Sequence, residues 1–217
     1  MGLRYFYRLK EKRVLEDLLQ STIQKSKDWM IKSGSLIDGI NVAATNRTRV
    51  SISLHHLCIE YHNGIHVLIE NQIFGSAFVL LRPQYEAYHR GAWFHFCADE
   101  HSIEKFLQGN EPPKIQVLID ELEKKESFNS GFLSNIKMKI WNNLNNFTHG
   151  GSIQVKARNT SDEIVQNYRV EHIIDILGFS AVLSYLAGIE IARVLENDNL
   201  AVSLREGYFS IYKSNEI

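Results

Sequence analysis

Three charged side chains in the segment FVLLRPQYEAYHRGAW are spaced four residues apart: Arg82, Glu86 and Arg90. In a helix this spacing puts them on one face, with the carboxylate between two guanidiniums. Apolar residues surround this group, so its charges should be partly buried and therefore paired. The pattern leaves two roles open for this charged ladder. It is either an internal ion network that fixes helix register or a polar pocket in which a spare guanidinium binds phosphate or carboxylate.

A second ladder with the same spacing, Tyr85, His89 and Trp93, lies beside the charged one. His89 is a candidate for proton transfer, and Tyr85 and Trp93 are candidate binding residues. Pro83 stands inside the same helical pattern. Because proline removes a backbone donor and frees a carbonyl one turn earlier, it predicts a kink next to Arg82.

A histidine stands where another helical pattern ends, in NNLNNFTHGG from Asn142 to Gly151. Asn and Gly commonly end helices, so His149 is either incidental to this helix end or held at a binding or cleavage site. An imidazole can act as a base or acid near neutral pH, and a guanidinium can hold a scissile phosphate. If His149 packs against the charged ladder, the two together have the chemistry for metal-free RNA cleavage, with His89 as the partner acid.

The segment LNNFTHGG, from Leu144 to Gly151, resembles the signature of HEPN domains, helical bundles often found in prokaryotic toxins and anti-phage systems. In that family a helix ends in an arginine, a polar residue, a few spacer residues and then a histidine, which is commonly followed by glycine. The histidine and glycine match His149 and Gly150, and the polar residue matches Asn146. The arginine has no match, because asparagines occupy every position at a suitable spacing. The pattern LRPxxExxxRGxW, over residues 81–93, also resembles uncharacterised bacterial helical proteins associated with the same group.

This resemblance implies a homodimer that cleaves or binds RNA in a toxin or anti-phage setting, with RNA or an antitoxin-like protein as partner. If the chain is an enzyme, the resemblance implies a metal-independent endoribonuclease. Two alternatives remain open. One is a non-catalytic interaction module that kept the fold after losing the nuclease arginine, and the other is a sensor whose arginines bind a small anion. The candidate catalytic residues are His149, Arg90, Arg82 and His89, and the candidate binding residues are Glu86, Asn146, Trp93 and Tyr85.

The composition is that of an ordinary folded, soluble protein. Of 217 residues, 44% are hydrophobic and 23% charged, and the net charge of −1 excludes an overall basic field that would attract nucleic acid. Basic residues are densest between Arg4 and Arg13, where they alternate with aromatic ones. The N-terminus lacks the apolar core of a secretory signal, and the most apolar stretch, 177–192, is too short to span a bilayer. These features predict a cytoplasmic protein without a membrane span.

No metal or other cofactor is predicted. His62 and His66 have the spacing of two metal ligands, but the zinc-protease pattern H-E-x-x-H is not met. Glu86 and His89 match one E-x-x-H step of a di-iron bundle, which requires a second copy that the sequence does not contain. The sequence also contains no phosphate-cradling loop of the G-x-x-x-x-G-K-[ST] type and no G-x-S-x-G elbow.

Most of the chain shows helical periodicity, so helices must position these residues. This periodicity predicts an all-α bundle of six or seven helices forming one domain over residues 1–217, with a small hairpin or ordered loop near 152–168. The charged ladder falls in a helix over 73–98, and His149 directly follows a helix over 130–147. Asp99 and Ser102 are expected to cap a short helix that follows the first of these.

Overall fold

The computed structural model describes residues 2–42 and 45–213, with side chains from residue 13 onward. Within these ranges the chain forms nine α-helices and no strand, which confirms the predicted all-α fold. The helices are α1 (Gly2–Ile37), α2 (Asn46–Glu70), α3 (Phe74–Phe96), α4 (Glu100–Leu107), α5 (Ile115–Leu122), α6 (Phe132–Thr148), α7 (Ser152–Lys156), α8 (Val170–Val194) and α9 (Asp198–Tyr212). The basic side chains of residues 4–12 lie outside the described side chains.

The segment predicted as a hairpin or ordered loop begins instead with the five-residue helix α7. Its start is fixed by Asn146, whose Oδ1 accepts a hydrogen bond from the Ile153 amide at 2.8 Å. Beyond α7 the chain forms a loop closed by one antiparallel bridge between Asn159 and Ile164. The short α4 has the predicted cap, since the Ser102 amide donates to Asp99 at 2.8 Å. Helix α7, which was not predicted, helps to raise the number above the predicted six or seven.

Helices α2, α3 and α8 form the centre of the bundle. Helices α1 and α9 pack on α8, while α5 and α6 pack on α3. Trp29 of α1 is fully buried, and its indole donates to Ser184 Oγ of α8 at 3.1 Å. Helix α3 is therefore covered by α2 and α8 on one side, and its other side faces α5 and α6.

Helix α8 is longer than the apolar stretch recognised in the sequence. By length and composition alone, its 25 residues could cross a membrane, and it is the one helix of which this is true in the described part of the chain. Half of its most apolar window is buried inside the bundle. The cytoplasmic location remains a prediction.

The pair His62 and His66 belongs to a buried polar network that joins three helices. Ser26 Oγ of α1 lies 3.1 Å from His66 Nδ1 and 3.4 Å from His62 Nε2. The other His62 nitrogen lies 2.9 Å from Ser180 Oγ of α8. Hydroxyl groups therefore occupy the positions around the His62 ring where a metal ligand set would have to form.

Arg47 closes the corner between α3 and α4. Its Nη1 donates to the carbonyl oxygens of Phe94, His95 and Ala98 at 2.9, 3.3 and 2.7 Å, where the end of α3 leaves carbonyls without helical partners. Its Nη2 also forms an ion pair of 2.7 Å with Glu100, which is 69% exposed. The carbonyl contacts carry most of the stabilisation, because an exposed ion pair contributes little.

Replacing Arg47 with methionine is expected to lower the free energy of unfolding by about 2 kcal/mol, because carbonyls bonded to a charged donor lose it. Urea denaturation followed by circular dichroism measures this change. Arg49→Met is the matched control, since Arg49 is exposed and is expected to change stability by no more than about 0.5 kcal/mol. Equal losses in the two variants would contradict the role given to Arg47.

Candidate functional site

The charged ladder of α3 forms as its spacing predicts. Arg82 Nε donates to Glu86 Oε1 at 2.9 Å, and Arg90 Nη2 donates to Glu86 Oε2 at 3.2 Å. The three side chains are 22%, 21% and 32% exposed for Arg82, Glu86 and Arg90, so water reaches all of them. Both guanidiniums keep N–H groups that point away from the single carboxylate, because a guanidinium has five donor hydrogens.

Two residues of α6 lie against this ladder: Trp141 and, eight positions further along, His149. The guanidinium carbon of Arg82 lies 5.2 Å from the centre of the Trp141 ring, a cation–π distance. Arg82 Nη1 lies 2.6 Å from His149 Nε2. His149 is the residue at which α6 ends, with its backbone N–H donating to Asn145 O at 3.0 Å. Gly150 follows at φ +63°, a left-handed conformation that glycine adopts without strain.

The contact between Arg82 and His149 fixes the protonation pattern of the ring. A guanidinium has only donor groups, so His149 Nε2 must accept, and its lone pair points at Arg82. In this contact the ring hydrogen is therefore placed on Nδ1. His149 is itself exposed to solvent. An exposed imidazole whose lone pair points at a neighbouring guanidinium has the composition of a general base next to an anion-binding group.

An open pocket of about 530 Å³ lies between α3, α5 and α6, with the segment 111–114 along one edge. We call it the α3–α6 pocket. Its charged lining residues are Arg82, Glu86, Arg90, Glu111, Lys114 and Lys137. Four cations against two carboxylates give the pocket a net positive charge, although the whole chain carries −1. Trp141 lines the same pocket, and Lys137 Nζ lies 5.4 Å from its ring centre.

The residues of this pocket fall within a known protein family. The model of DUF6988, a family of unknown function, matches residues 55–212. The chain belongs to DUF6988. No curated protein and no solved structure matches it. The DUF6988 match contains all of α3, α5 and α6, and so includes every residue named above at the α3–α6 pocket.

Two of the predicted residues in the DUF6988 region lie in the core instead of the pocket. The ring of His89 is 1% exposed, and its Nδ1 donates to the carbonyl of Tyr85 at 2.8 Å. Burial lowers the pKa of His89 to about 4. Tyr85 is also 1% exposed, and both residues face the start of α6 and α8. The prediction that His89 acts beside His149 is therefore wrong, because the helix turn puts it on the face of α3 that packs against other helices.

Trp93 and Asn146 also have structural contacts. The Trp93 indole is 4% exposed and donates to Glu121 Oε2 of α5 at 2.5 Å. The side chain of Asn146, which was expected to bind a ligand, instead accepts from the Ile153 amide in the first turn of α7, as described above. The structure thus brings together His149, Arg82, Glu86 and Arg90 and separates His89, Tyr85, Trp93 and Asn146 from them.

Sequence reasoning missed Trp141, Lys137 and Lys114. A signal existed for Trp141, because it precedes His149 by eight residues, which is close to two helical turns and so places both on one helix face. No local signal marked Lys114, which reaches the pocket from a separate segment. Among the residues that the structure describes, no group of three or more His, Cys, Asp or Glu side chains could hold a metal ion.

Proposed function

We propose that this chain is a HEPN-like protein that binds RNA in the α3–α6 pocket and cleaves it without a metal ion. The observation that supports this most directly is the 2.6 Å contact between Arg82 Nη1 and His149 Nε2. It joins a base and a phosphate-binding cation, which are the two groups that metal-free RNA cleavage needs. The arginine absent from the end of α6 is thus supplied by α3.

The proposed reaction is an internal transfer at one phosphodiester. Arg82 turns N–H groups toward the phosphate, which leaves the His149 Nε2 lone pair free to accept the proton of the adjacent 2′-hydroxyl. The 2′-oxygen then forms a bond to phosphorus while the bond from phosphorus to the 5′-oxygen breaks. Water supplies the proton to the leaving 5′-oxygen, since His89 is buried away from the site. The products are a 2′,3′-cyclic phosphate and a free 5′-hydroxyl.

The cations around the pocket favour this substrate. Arg90, Lys114 and Lys137 are placed to bind phosphates on either side of the scissile one. Lys137 also donates to Gln116 Oε1, which holds it at the pocket edge. The carboxylate of Glu86 orients Arg82 and Arg90 and leaves one net positive charge on the ladder.

Cleavage by the purified full-length chain tests the proposal. A labelled single-stranded RNA should be cut in the presence of EDTA, and the products should carry 2′,3′-cyclic phosphate ends. The DNA of the same sequence should remain intact, because it lacks the 2′-hydroxyl that attacks phosphorus. Absence of any RNA cleavage, or cleavage that EDTA stops, would refute the proposed chemistry.

Trp141 is expected to stack on an RNA base, because its ring lies in the pocket beside Arg82 and Lys137. Loss of a base stack costs ~1–3 kcal/mol, so Trp141→Leu should raise KM by roughly 5- to 100-fold with little change in kcat. Steady-state cleavage kinetics measure both constants. Met138→Leu is the control, since Met138 is a 75% exposed residue of the same helix that does not line the pocket. A fall in kcat alone would contradict the stacking role.

The second candidate function is binding of a small anion without turnover. It is favoured by the excess of four cations over two carboxylates in the lining of the α3–α6 pocket. A sensor of this kind should show a melting temperature that rises with the concentration of a nucleoside phosphate, with no change in the ligand. A non-catalytic interaction module should instead bind RNA or a protein partner without cleaving the RNA.

We also propose that the protein acts in the cytoplasm as a homodimer, in a toxin or anti-phage setting, with RNA or an antitoxin-like protein as partner. Expression of the chain in a bacterium should then stop growth, and His149→Ala should restore it. Size-exclusion chromatography with light scattering measures the oligomeric state.

A further inference from the structure

A second pocket, of about 500 Å³, lies on the other side of α6, between this helix and α8. We call it the α6–α8 pocket. Its wall is apolar, and α3 provides its floor. The main apolar lining residues are Phe78, Leu81, Leu144, Phe147, Ile176 and Phe179. None of the residues of the charged ladder lines it, so it is separate from the α3–α6 pocket.

The floor of this pocket is held in place by stacked rings. Phe78 stacks on Phe147 with ring centres 4.4 Å apart, and on Tyr168 with ring centres 5.3 Å apart. The Tyr168 hydroxyl donates to Gln154 Oε1 at 2.6 Å, and Gln154 Nε2 donates to the Gly75 carbonyl at 3.1 Å. A ring stack that is anchored by hydrogen bonds on both sides resists collapse into the space. The volume lies in the range of small-molecule sites.

The mouth of the pocket has one charge without a partner. Asp175 of α8 lines it and is exposed, and no ion pair with a described residue neutralises its carboxylate. The other polar lining residues are Asn143 and His172, and no described Lys or Arg lines the pocket. An apolar interior with a single carboxylate at its mouth is complementary to an apolar body with one positive end.

We propose that the α6–α8 pocket binds a small amphipathic cation, whose hydrocarbon body lies against Phe78, Leu144 and Phe179 and whose protonated amine meets Asp175. The carboxylate of Asp175 favours a cationic ligand, because it would repel an anionic head group. The site is independent of RNA cleavage, since its lining residues are distinct from His149 and the charged ladder.

Three probes of equal chain length test the ligand class: octylamine, octanol and octanoate. In isothermal titration with the full chain, octylamine should bind roughly fivefold more tightly than octanol, as expected for one partly solvated ion pair, and octanoate more weakly than either. Asp175→Asn should remove the preference for octylamine and leave octanol binding unchanged. Equal binding of octylamine and octanoate, or no binding of octylamine, would overturn the proposal.

A pair of variants on α6 tests the location of the site. Asn143 lines the pocket and Asn142 does not, although both are exposed. Asn143→Trp should fill the mouth and abolish octylamine binding, while Asn142→Trp should bind like the unmodified chain. Because both positions are exposed, neither change threatens the fold, and thermal melts verify this. Octylamine binding that survives Asn143→Trp would place the ligand elsewhere and overturn the proposal.

Discussion

His149→Ala is expected to reduce RNA cleavage by about 10²- to 10⁴-fold, the usual contribution of a positioned general base. The reason is geometric, since Nε2 of His149 is the acceptor atom that lies 2.6 Å from Nη1 of Arg82, and Arg82 lines the α3–α6 pocket. Arg82→Met should lower the cleavage rate by about 10²- to 10³-fold, because it removes the donors that stabilise charge on the phosphate. Single-turnover cleavage of a labelled RNA measures both rates.

Arg82→Lys is the informative conservative change. Lysine keeps the charge but cannot contact His149, Glu86 and a phosphate together, because its ammonium lacks the planar fork of a guanidinium. It should therefore recover only part of the loss. His101→Ala is the matched control for His149→Ala, since both imidazoles are exposed and His101 lies outside the site. Unchanged cleavage by His149→Ala would show that the activity resides in other residues.

The second large effect is a loss of folding stability at acidic pH. Three buried histidines should together remove about 6 kcal/mol of stability between pH 7.5 and pH 5, because they resist protonation in the folded chain. Burial lowers the pKa of His55 and His62 to about 3 and that of His89 to about 4. All three rings are 1% exposed or less. Such a loss is of the same order as the whole stability of an ordinary domain.

The direction of this stability change follows from the number of protons that the folded and unfolded states bind. In the unfolded chain these imidazoles titrate near 6.5, so between that pH and the folded pKa values the unfolded state binds more protons. Stability is therefore full above about pH 6.5 and is lost as pH falls toward 4 and 3. At pH 5 each histidine contributes about 2 kcal/mol of this loss. Glu190 opposes this loss in the same pH range, since burial raises its pKa to about 7 and its protonation in the folded chain restores about 2 kcal/mol by pH 5.

Urea denaturation at a series of pH values measures the effect, and His89→Leu tests its origin. That variant should lose about 2 kcal/mol less stability between pH 7.5 and pH 5, whatever its stability at neutral pH, because it removes one of the three histidines. His89 suits this test because its Nε2 has no hydrogen-bond partner to be left unpaired. His101→Gln, at an exposed position, should keep the full acid dependence. An acid profile of His89→Leu identical to that of the unmodified chain would contradict the explanation.

The sequence by itself determined the fold class, most helices and the internal pairing of the charged ladder. These features depend on neighbours along the chain, since the 3.6-residue period fixes which side chains share a face. The pairing of Arg82 with Glu86 and of Glu86 with Arg90 needed nothing beyond four-residue spacing. The end of α6 at His149 followed from Gly150, whose left-handed conformation closes the helix.

Only the tertiary structure decided which face of α3 is open. Apolar residues surround that helix on nearly every side, so its periodicity could not separate the ladder of Arg82 from that of His89. Helix α8 and the start of α6 pack on Tyr85 and His89 and so bury that ladder. The ladder of Arg82 lines the α3–α6 pocket instead. The contact between Arg82 and His149 joins residues 67 positions apart, and no local pattern encodes such a distance. Long-range packing thus determined which of the candidate residues predicted from local spacing lie together at the site.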